Sequence, residues 1–313
     1  MLEKNNDGYE QAIRQLNYEN KQILTSSEYR IGNIFIRYLK VIKKLQIITL
    51  FKMLYESKRI KRSNKLYTDI HEKIECGGLN EPIVIEANSD KTITIYTCII
   101  GDYDAPKPPL IIPKNYKFIL FTNMNAEKVP GWEIRRIPDR LKCYNPTFIN
   151  RYIKFHPREF FDTDYTMYID GNVRLLVDIS DLIQVVDNSK IHVGMYDHSV
   201  RNCLYREAQV CKYLGKGNKE GIEEQVKAYS QEGMPHSYGL KEATVILANM
   251  HDENAGALLD AWWKEFKRWS SNRDQLSLPY VIWKMGMKLD SLGNLGKDVK
   301  NDLHFQISFH KSK

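Results

Sequence analysis

Asp164-Tyr-Thr-Met-Tyr-Ile-Asp-Gly-Asn-Val-Arg-Leu175 is the stretch whose reading decides the fold. Tyr165 to Ile169 is a short run of apolar, aromatic and β-branched residues, the composition of a strand buried in a sheet. It breaks off in Asp170-Gly171-Asn172. Gly171 permits a sharp turn or the close approach of a ligand, and it separates two short oxygen-bearing side chains. A carboxylate and an amide oxygen at the carboxyl end of a strand suit a hard divalent cation, which can in turn hold a diphosphate. Asp-Gly is also a common turn signal, so these residues alone leave an ordinary strand and turn open.

Working outward, the flanking segments alternate strand with helix. Lys91-Thr-Ile-Thr-Ile-Tyr-Thr-Cys-Ile-Ile100 is a β-branched, alternating strand. It runs into Gly101-Asp102-Tyr103-Asp104, a loop suited to meet a nucleotide at the carboxyl edge of a parallel sheet. Tyr116 to Asn123 reads as a second strand and Trp132 to Ile137 as a shorter third. Pro146 to Phe161 reads as a helix bearing Arg151, Lys154, His156 and Arg158. Beyond Leu175 come a helix over Asp178 to Val186, a strand over Ile191 to Tyr196, and a helical region opened by Asp197 to Ala208. Gly215 to Gly233 reads as a polar, mobile segment. Tyr238 to Leu247 is a turn feeding a strand. Ala257 to Trp269 is a helix whose aromatics suit a core better than a sugar platform, and Asn272 to Leu276 starts a last helix. This rhythm predicts an α/β fold with a mostly parallel sheet flanked by helices.

The N-terminal third differs. Residues 1 to about 25 carry Ile13, Leu16, Ile23 and Leu24 at roughly helical spacing, consistent with a short helix or weak coiled-coil segment. Residues 33–65 combine a broad apolar face (Ile34, Phe35, Leu39, Ile42, Leu45 among others) with ten Lys and Arg residues. A basic amphipathic helix of this kind lies in the headgroup region of an anionic membrane. The competing reading is a helix packed on the catalytic domain or on a second subunit of a homodimer. Leu66 to Asp90 reads as a polar connection. The expected organisation is a helical, basic region over 1–90 and a catalytic domain over 91–313.

Composition sets limits. The chain has 313 residues, 42% hydrophobic and 27% charged, with a formal charge of +7; these values suit a globular protein with a large core. No nucleic-acid motif accompanies the basic excess, so nucleic acid is not an expected partner. Five scattered cysteines without CxxC spacing indicate reduced thiols in a cytoplasmic protein rather than zinc or a disulfide scaffold. Met1 to Asn20 lacks the apolar core of a signal peptide, and no run of eighteen uncharged apolar residues predicts a membrane span. The expected location is cytoplasmic, peripheral to the inner face of a membrane.

Taken together, the Gly101–Asp104 loop, Tyr168–Asn172, His198-X-X-Arg-X-Cys-X-Tyr-X-Glu-Ala208, Gly239-Leu-X-Glu242 and Arg273-Asp-Gln275 resemble a bacterial and plant family of glycosyltransferase-like proteins once catalogued as domain of unknown function 616. Tyr-Ile-Asp-Gly-Asn also resembles the Asp-X-Asp site of GT-A glycosyltransferases, and the likeness runs from about Lys91 to His310. It implies a GT-A-like, Rossmann-like fold and transfer of a sugar from a nucleotide donor, UDP-linked by preference, to a surface polysaccharide or lipid-linked glycan. The second acid of the pattern is here Asn172, which puts dependence on Mn2+ or Mg2+ in doubt because an amide oxygen is the weaker ligand.

Roles for the candidate residues follow from charge. A nucleotide-diphosphate leaving group needs a metal, Lys or Arg donors, or a helix N-terminus. Asp170 is the expected metal or ribose contact, with Asn172 and His304 (or His310) as further ligands. Arg151 and Lys154 resemble the basic residues that GT-A helices place beside the diphosphate, with Thr97, Gly101, Asp102, Tyr103 and Gly171 completing the donor side. Asp274 is a candidate acceptor-side carboxylate, equally readable as a helix cap, and Glu242 competes for the task. His198, Arg201, Glu207 and Gln275 form an expected substrate wall or, as readily, a structural hydrogen-bond network. Two other classes stay open: a non-catalytic glycan-binding scaffold, which Asn172 favours, and a metal-dependent hydrolase, which would need a denser His/Asp set.

Overall fold

The computed structural model describes residues 81–101, 103–124 and 128–308. The chain divides into two compact units, residues 1–79 with 300–304 and residues 80–299 with 305–313; the architecture below is that of the second. The helical readings of residues 1–25 and 33–65, together with Asp102 and His310, lie outside the described residues.

In chain order the strands are β1 (Ile83–Ile85), β2 (Ile93–Ile99), β3 (Ile111–Pro113), β4 (Tyr116–Thr122), β5 (Glu133–Arg136), β6 (Tyr165–Ile169), β7 (Val173–Leu175), β8 (Val193–Asp197), β9 (Lys241–Asn249), β10 (Gly293–Gly296) and β11 (Phe305–Ile307). The helices are α1 (Pro146–Phe155), α2 (Ser180–Asp187), α3 (Leu204–Tyr213), α4 (Lys219–Gln231), α5 (Glu253–Arg268) and α6 (Asp274–Lys284). Seven strands form one sheet in the order β10-β8-β9-β6-β2-β4-β5. Every pairing in it is parallel except those of β9, which runs antiparallel to both β6 and β8. The α/β class and mostly parallel sheet expected from the sequence are therefore what the chain adopts. Two small pairs, β1 with β3 and β7 with β11, stand apart from this sheet.

β2 and β6 are buried along their whole length, which is why their sequences read as near-continuous apolar runs: a parallel strand is covered on both faces. The pleat divides their side chains. Tyr96, Cys98 and Tyr168 enter a core with Ile153, Phe155, Trp262 and Phe266 from α1 and α5. Ile93, Ile95, Met167 and Ile169 enter another with Leu182, Ile183 and Val186 from α2.

α1 begins where Asn145 accepts the Phe148 N–H at 2.9 Å and Pro146 occupies the first turn. It ends at Phe155, six residues before the expected limit of Phe161. Pro157 lacks an N–H and disfavours helix in the residue before it, so the chain passes into a 3-10 turn at Pro157–Glu159. Residues 215–233, read as a mobile segment, instead contain α4. Asn218 caps it by accepting the Gly221 N–H at 2.7 Å. Gly221 is a packing glycine rather than a breaker: a Cβ there would lie 2.3 Å from Ser270 Oγ and 2.6 Å from the Ser271 nitrogen. Ile83–Ile85, inside the stretch read as a connection, is the strand β1, paired in parallel with β3.

Candidate functional site

β2, β4, β6 and β8 bring their carboxyl ends to one edge of the sheet. Because β9 runs the other way, its beginning reaches that same edge, with Lys241 opposite Asp197 and Val245 opposite Ile169. α1, which crosses from β5 to β6, and the start of α6 bring further side chains there. The edge therefore collects residues from across the chain.

At its centre is a buried ionic knot. Lys154 donates to the Ala243 carbonyl and to Asp274 Oδ2, both at 2.7 Å, and its ammonium lies 4.7 Å from the Tyr168 ring centroid. Arg151 Nε lies 3.0 Å from the same Asp274 oxygen. Burial alone would raise the Asp274 carboxyl; Arg151, Lys154 and Arg273 instead hold it well below the usual carboxylate range. Burial would likewise disfavour the charged Arg151, and Asp274, Tyr168 and Asp170 more than offset it. Asp170 belongs to this field and accepts from the Tyr168 hydroxyl at 3.0 Å. Burial and the Asp170 charge keep the Tyr168 phenol well above its ordinary value, hence a donor. The two cations differ in reach: the Arg151 side chain is 19% exposed, that of Lys154 1%. Lys154, expected beside a diphosphate, has its ammonium committed to protein oxygens.

A second group adjoins the first through Arg273. Arg201 Nε donates to Glu207 Oε2, Arg273 Nη2 lies 3.9 Å from Glu207 Oε1, and Cys211 donates to that oxygen at 3.3 Å. Burial opposes ionisation of Glu207, yet its contacts with His198, Arg201 and Cys211 bring its carboxyl down to about 2. His198 Nδ1 accepts the backbone N–H groups of Val200 and Arg201 at 3.2 and 3.0 Å. Its Nε2 lies 2.9 Å from Arg201 Nη2, 3.5 Å from Glu207 and 3.6 Å from Glu242. Gln275 donates to the Lys241 carbonyl at 2.9 Å, tying α6 to the start of β9. The wall residues thus meet, though not by helical spacing: α3 starts only at Leu204, and a bend brings His198 and Arg201 to Glu207.

The remaining candidates are dispersed. Thr97 falls between Tyr96 and Cys98, so the pleat turns it to the other face of the sheet, where it is buried and its hydroxyl finds no hydrogen-bond partner among the described residues. Gly101, with φ +65°, donates to Asn123 Oδ1 at 2.7 Å, and Tyr103 is exposed. Gly171 is required by packing, since a Cβ would lie 2.7 Å from Ile99 Cγ1. His304 Nδ1 lies 2.5 Å from Asp302 Oδ1, in the segment 300–304 that belongs to the first unit. Asn150 escaped the sequence reading, and Tyr168 was read only as part of the motif Tyr168–Asn172, with no task of its own. Asn150 donates to the Cys98 carbonyl at 2.6 Å and approaches the Tyr168 hydroxyl, and Tyr168 orients Asp170. The only sequence signal of Asn150 was its adjacency to Arg151.

For a divalent cation, the strand end supplies the Asp170 carboxylate and the Asn172 carboxamide, whose nitrogen donates to the Ser308 carbonyl at 2.8 Å. No group of three or more His, Cys, Asp and Glu side chains gathers as a metal-ligand set among the described residues. The pair suits a cation that takes its other oxygens from a diphosphate and water, as magnesium does.

A family model described as "TOD1/MUCI70, glycosyltransferase-like domain" matches residues 144–308, just over half of the chain. Nothing among curated proteins matches. Solved structures with some likeness include the apo bifunctional glycosyltransferase WbbM, 12% identical over 63% of this chain and 38% of that one, with a TM-score of 0.37. They include the glycosyltransferase GlyE of Streptococcus pneumoniae TIGR4, 12% identical over 66% and 45%, with a TM-score of 0.33. Apo mouse xyloside xylosyltransferase 1 is 8% identical over 65% and 84%, with a TM-score of 0.36. The chain spans less than half the length of the first two. Scores this low leave the fold to be read from the strand order itself.

Proposed function

The chain belongs to the TOD1/MUCI70 glycosyltransferase-like family, and on that premise we propose that it moves a sugar from a nucleotide-sugar donor, UDP-linked, to a glycan or lipid-linked acceptor. The reaction is assigned to the edge where β6 ends and β9 begins. The partly exposed Arg151 side chain carries this reading. Its Nε lies 3.0 Å from Asp274 Oδ2 and its Nη1 donates to Asn150, while 19% of the side chain stays exposed, which suits a hydrogen bond from its remaining nitrogen to a diphosphate oxygen.

Each residue then has a task. Arg151 neutralises charge that develops on the departing nucleoside diphosphate. Asp274, buried and shared between two cations, positions Arg151 and is too weakly basic to take a proton. Glu242, beside His198 at the start of β9, is the carboxylate able to accept the acceptor hydroxyl's proton. Asp170 and Asn172 would hold a divalent cation, which supplies Lewis-acid stabilisation of the leaving diphosphate when bound. Residues 33–65, by their basic amphipathic pattern, would keep the enzyme at an anionic membrane surface where lipid-linked acceptors reside.

Calorimetric titration of UDP, GDP and CMP, each with and without manganese, tests this on wild type, Asp170→Ala and Arg151→Met. One nucleotide should bind, with affinity falling at least roughly tenfold in Arg151→Met. Loss in Asp170→Ala only when manganese is present would assign the cation to Asp170. Folded protein that binds none of the three sinks the proposal. A second reading, a non-catalytic glycan-binding module, draws support from Asn172, whose amide ties the start of β7 to Ser308 where a second carboxylate would otherwise stand; it requires glycan binding without nucleotide binding.

A further inference from the structure

Aromatic residues recur every four positions along one stripe of α1 and its approach: Tyr144, Phe148, Tyr152 and His156. Residues four apart share a helix face, and this face is turned toward α5. Phe148, Tyr152 and His156 all meet the Trp263 ring edge-on, at 4.7, 5.4 and 5.3 Å between centroids. Tyr152 is then covered on both sides, by His156 stacked at 4.1 Å and by Arg140 at 5.0 Å. The other end is open. Tyr144 stacks on Phe148 at 4.3 Å and is 47% exposed. It is the outermost ring of a pile Tyr144–Phe148–Trp263, and the residues beside it, Cys143 and Asn145, are exposed as well.

An exposed tyrosine usually moves freely; this one is held by the rings behind it, so little further freedom is lost when a ligand covers it. Its place matters too. α1 descends from the carboxyl edge of the sheet, and Arg151 lies at the level of the strand ends. Tyr144 immediately precedes Asn145, the N-cap of α1, and so sits at the end of the helix that starts from that edge. Tyr144 and Arg151 thus both belong to the N-terminal part of α1 and its approach, on the side of the sheet where the strands end.

We infer that Tyr144 is a carbohydrate subsite, a platform on which a sugar ring of the acceptor glycan stacks, remote from the sugar that receives the transfer. The C–H groups on one face of a pyranose carry partial positive charge and suit the negative face of an aromatic ring, while the sugar hydroxyls remain in water. The acceptor is accordingly an oligosaccharide rather than a free monosaccharide. Its role as acceptor rests on the transfer reading above; the stacking itself does not.

The test is titration of the full chain with cello-, xylo- and mannohexaose and their monosaccharides, read by tryptophan fluorescence and calorimetry, with UDP titrated in parallel. At least one hexaose should bind at least roughly tenfold tighter than its monosaccharide. Tyr144→Ala should weaken it roughly 3- to 10-fold, Tyr144→Trp should restore it, and UDP affinity should not change. The inference is overturned if no hexaose binds, if binding ignores the ring at 144, or if UDP affinity falls with Tyr144→Ala, which would make the ring a nucleobase contact. UDP binding without hexaose binding removes the platform and leaves the transfer reading standing; hexaose binding without UDP binding does the reverse.

Discussion

Lys154 and Asp274, 120 residues apart in the chain, meet at 2.7 Å inside the protein, and neither side chain is more than 4% exposed. Each charge is tolerable there only because the other is present: an isolated ion in a low-dielectric interior is strongly disfavoured. Lys154→Met leaves Asp274 with Arg151 and the charge of Arg273, and Asp274→Asn leaves Lys154 with neutral acceptors only, the Ala243 carbonyl and the new amide oxygen. Each single change is expected to cost about 3 kcal/mol in urea denaturation. The double variant should fall short of the sum by at least about 1 kcal/mol; strict additivity would mean the two charges do not depend on one another.

Glu207 makes stability depend on acid. Its carboxyl is lowered from 4.5 to about 2 in the folded protein. A group lowered on folding contributes stability that is complete above its unfolded value and is lost as pH falls toward the folded one. Wild type should therefore lose stability between about pH 4.5 and 2 more steeply than Glu207→Gln. Denaturant midpoints at a series of pH values for the two proteins give the difference directly, and parallel curves would refute the assignment.

Gly171 separates Asp170 from Asn172 and lies against Ile99. A Cβ there would stand 2.7 and 2.9 Å from Ile99 Cγ1 and Cδ1 and 3.3 Å from Asp104 Cβ. Gly171→Ala should cost about 1–3 kcal/mol by overpacking. In an Ile99→Ala background, where both offending carbons are gone, the same change should cost markedly less. An equal cost in both backgrounds, measured by thermal unfolding, would place the strain elsewhere.

The cap of α4 offers a simpler check. Asn218→Ala removes the acceptor for the Gly221 N–H and should lower stability by about 1 kcal/mol, whereas Asn218→Asp should be nearly neutral. A cap of no consequence would show equal melting temperatures for all three proteins.

Local pattern accounts for what could be read from the sequence, and distance for what could not. β2 and β6 announce themselves because a strand buried on both faces must be apolar throughout, and α1 because Asn145-Pro146 is a start signal and Pro157 a stop. The reading of α1 overran to Phe161 because the apolar spacing continued past that proline. α4 was missed because Gly221 and its polar neighbours imitate a loop; only Ser270 and Ser271, some fifty residues on, explain the glycine. Lys154 looked like a phosphate ligand since nothing near it in sequence reveals Asp274. His198, Arg201 and Glu207 meet in the structure, but not by the helical spacing on which they were grouped. Thr97 was set at the edge although the pleat sends it to the far face.

The reversed direction of β9 bears on how the molecule comes into being. β9 lies between β6 and β8, so the sheet stays split while the ribosome still holds residues 241–249, and α6, with the counter-charge for Lys154, emerges later still. Until then the Lys154 ammonium lacks the carboxylate that it bonds directly in the folded protein, which opposes burial of α1 against the sheet. The N-terminal half of this unit is thereby disfavoured from settling before α6 has been made.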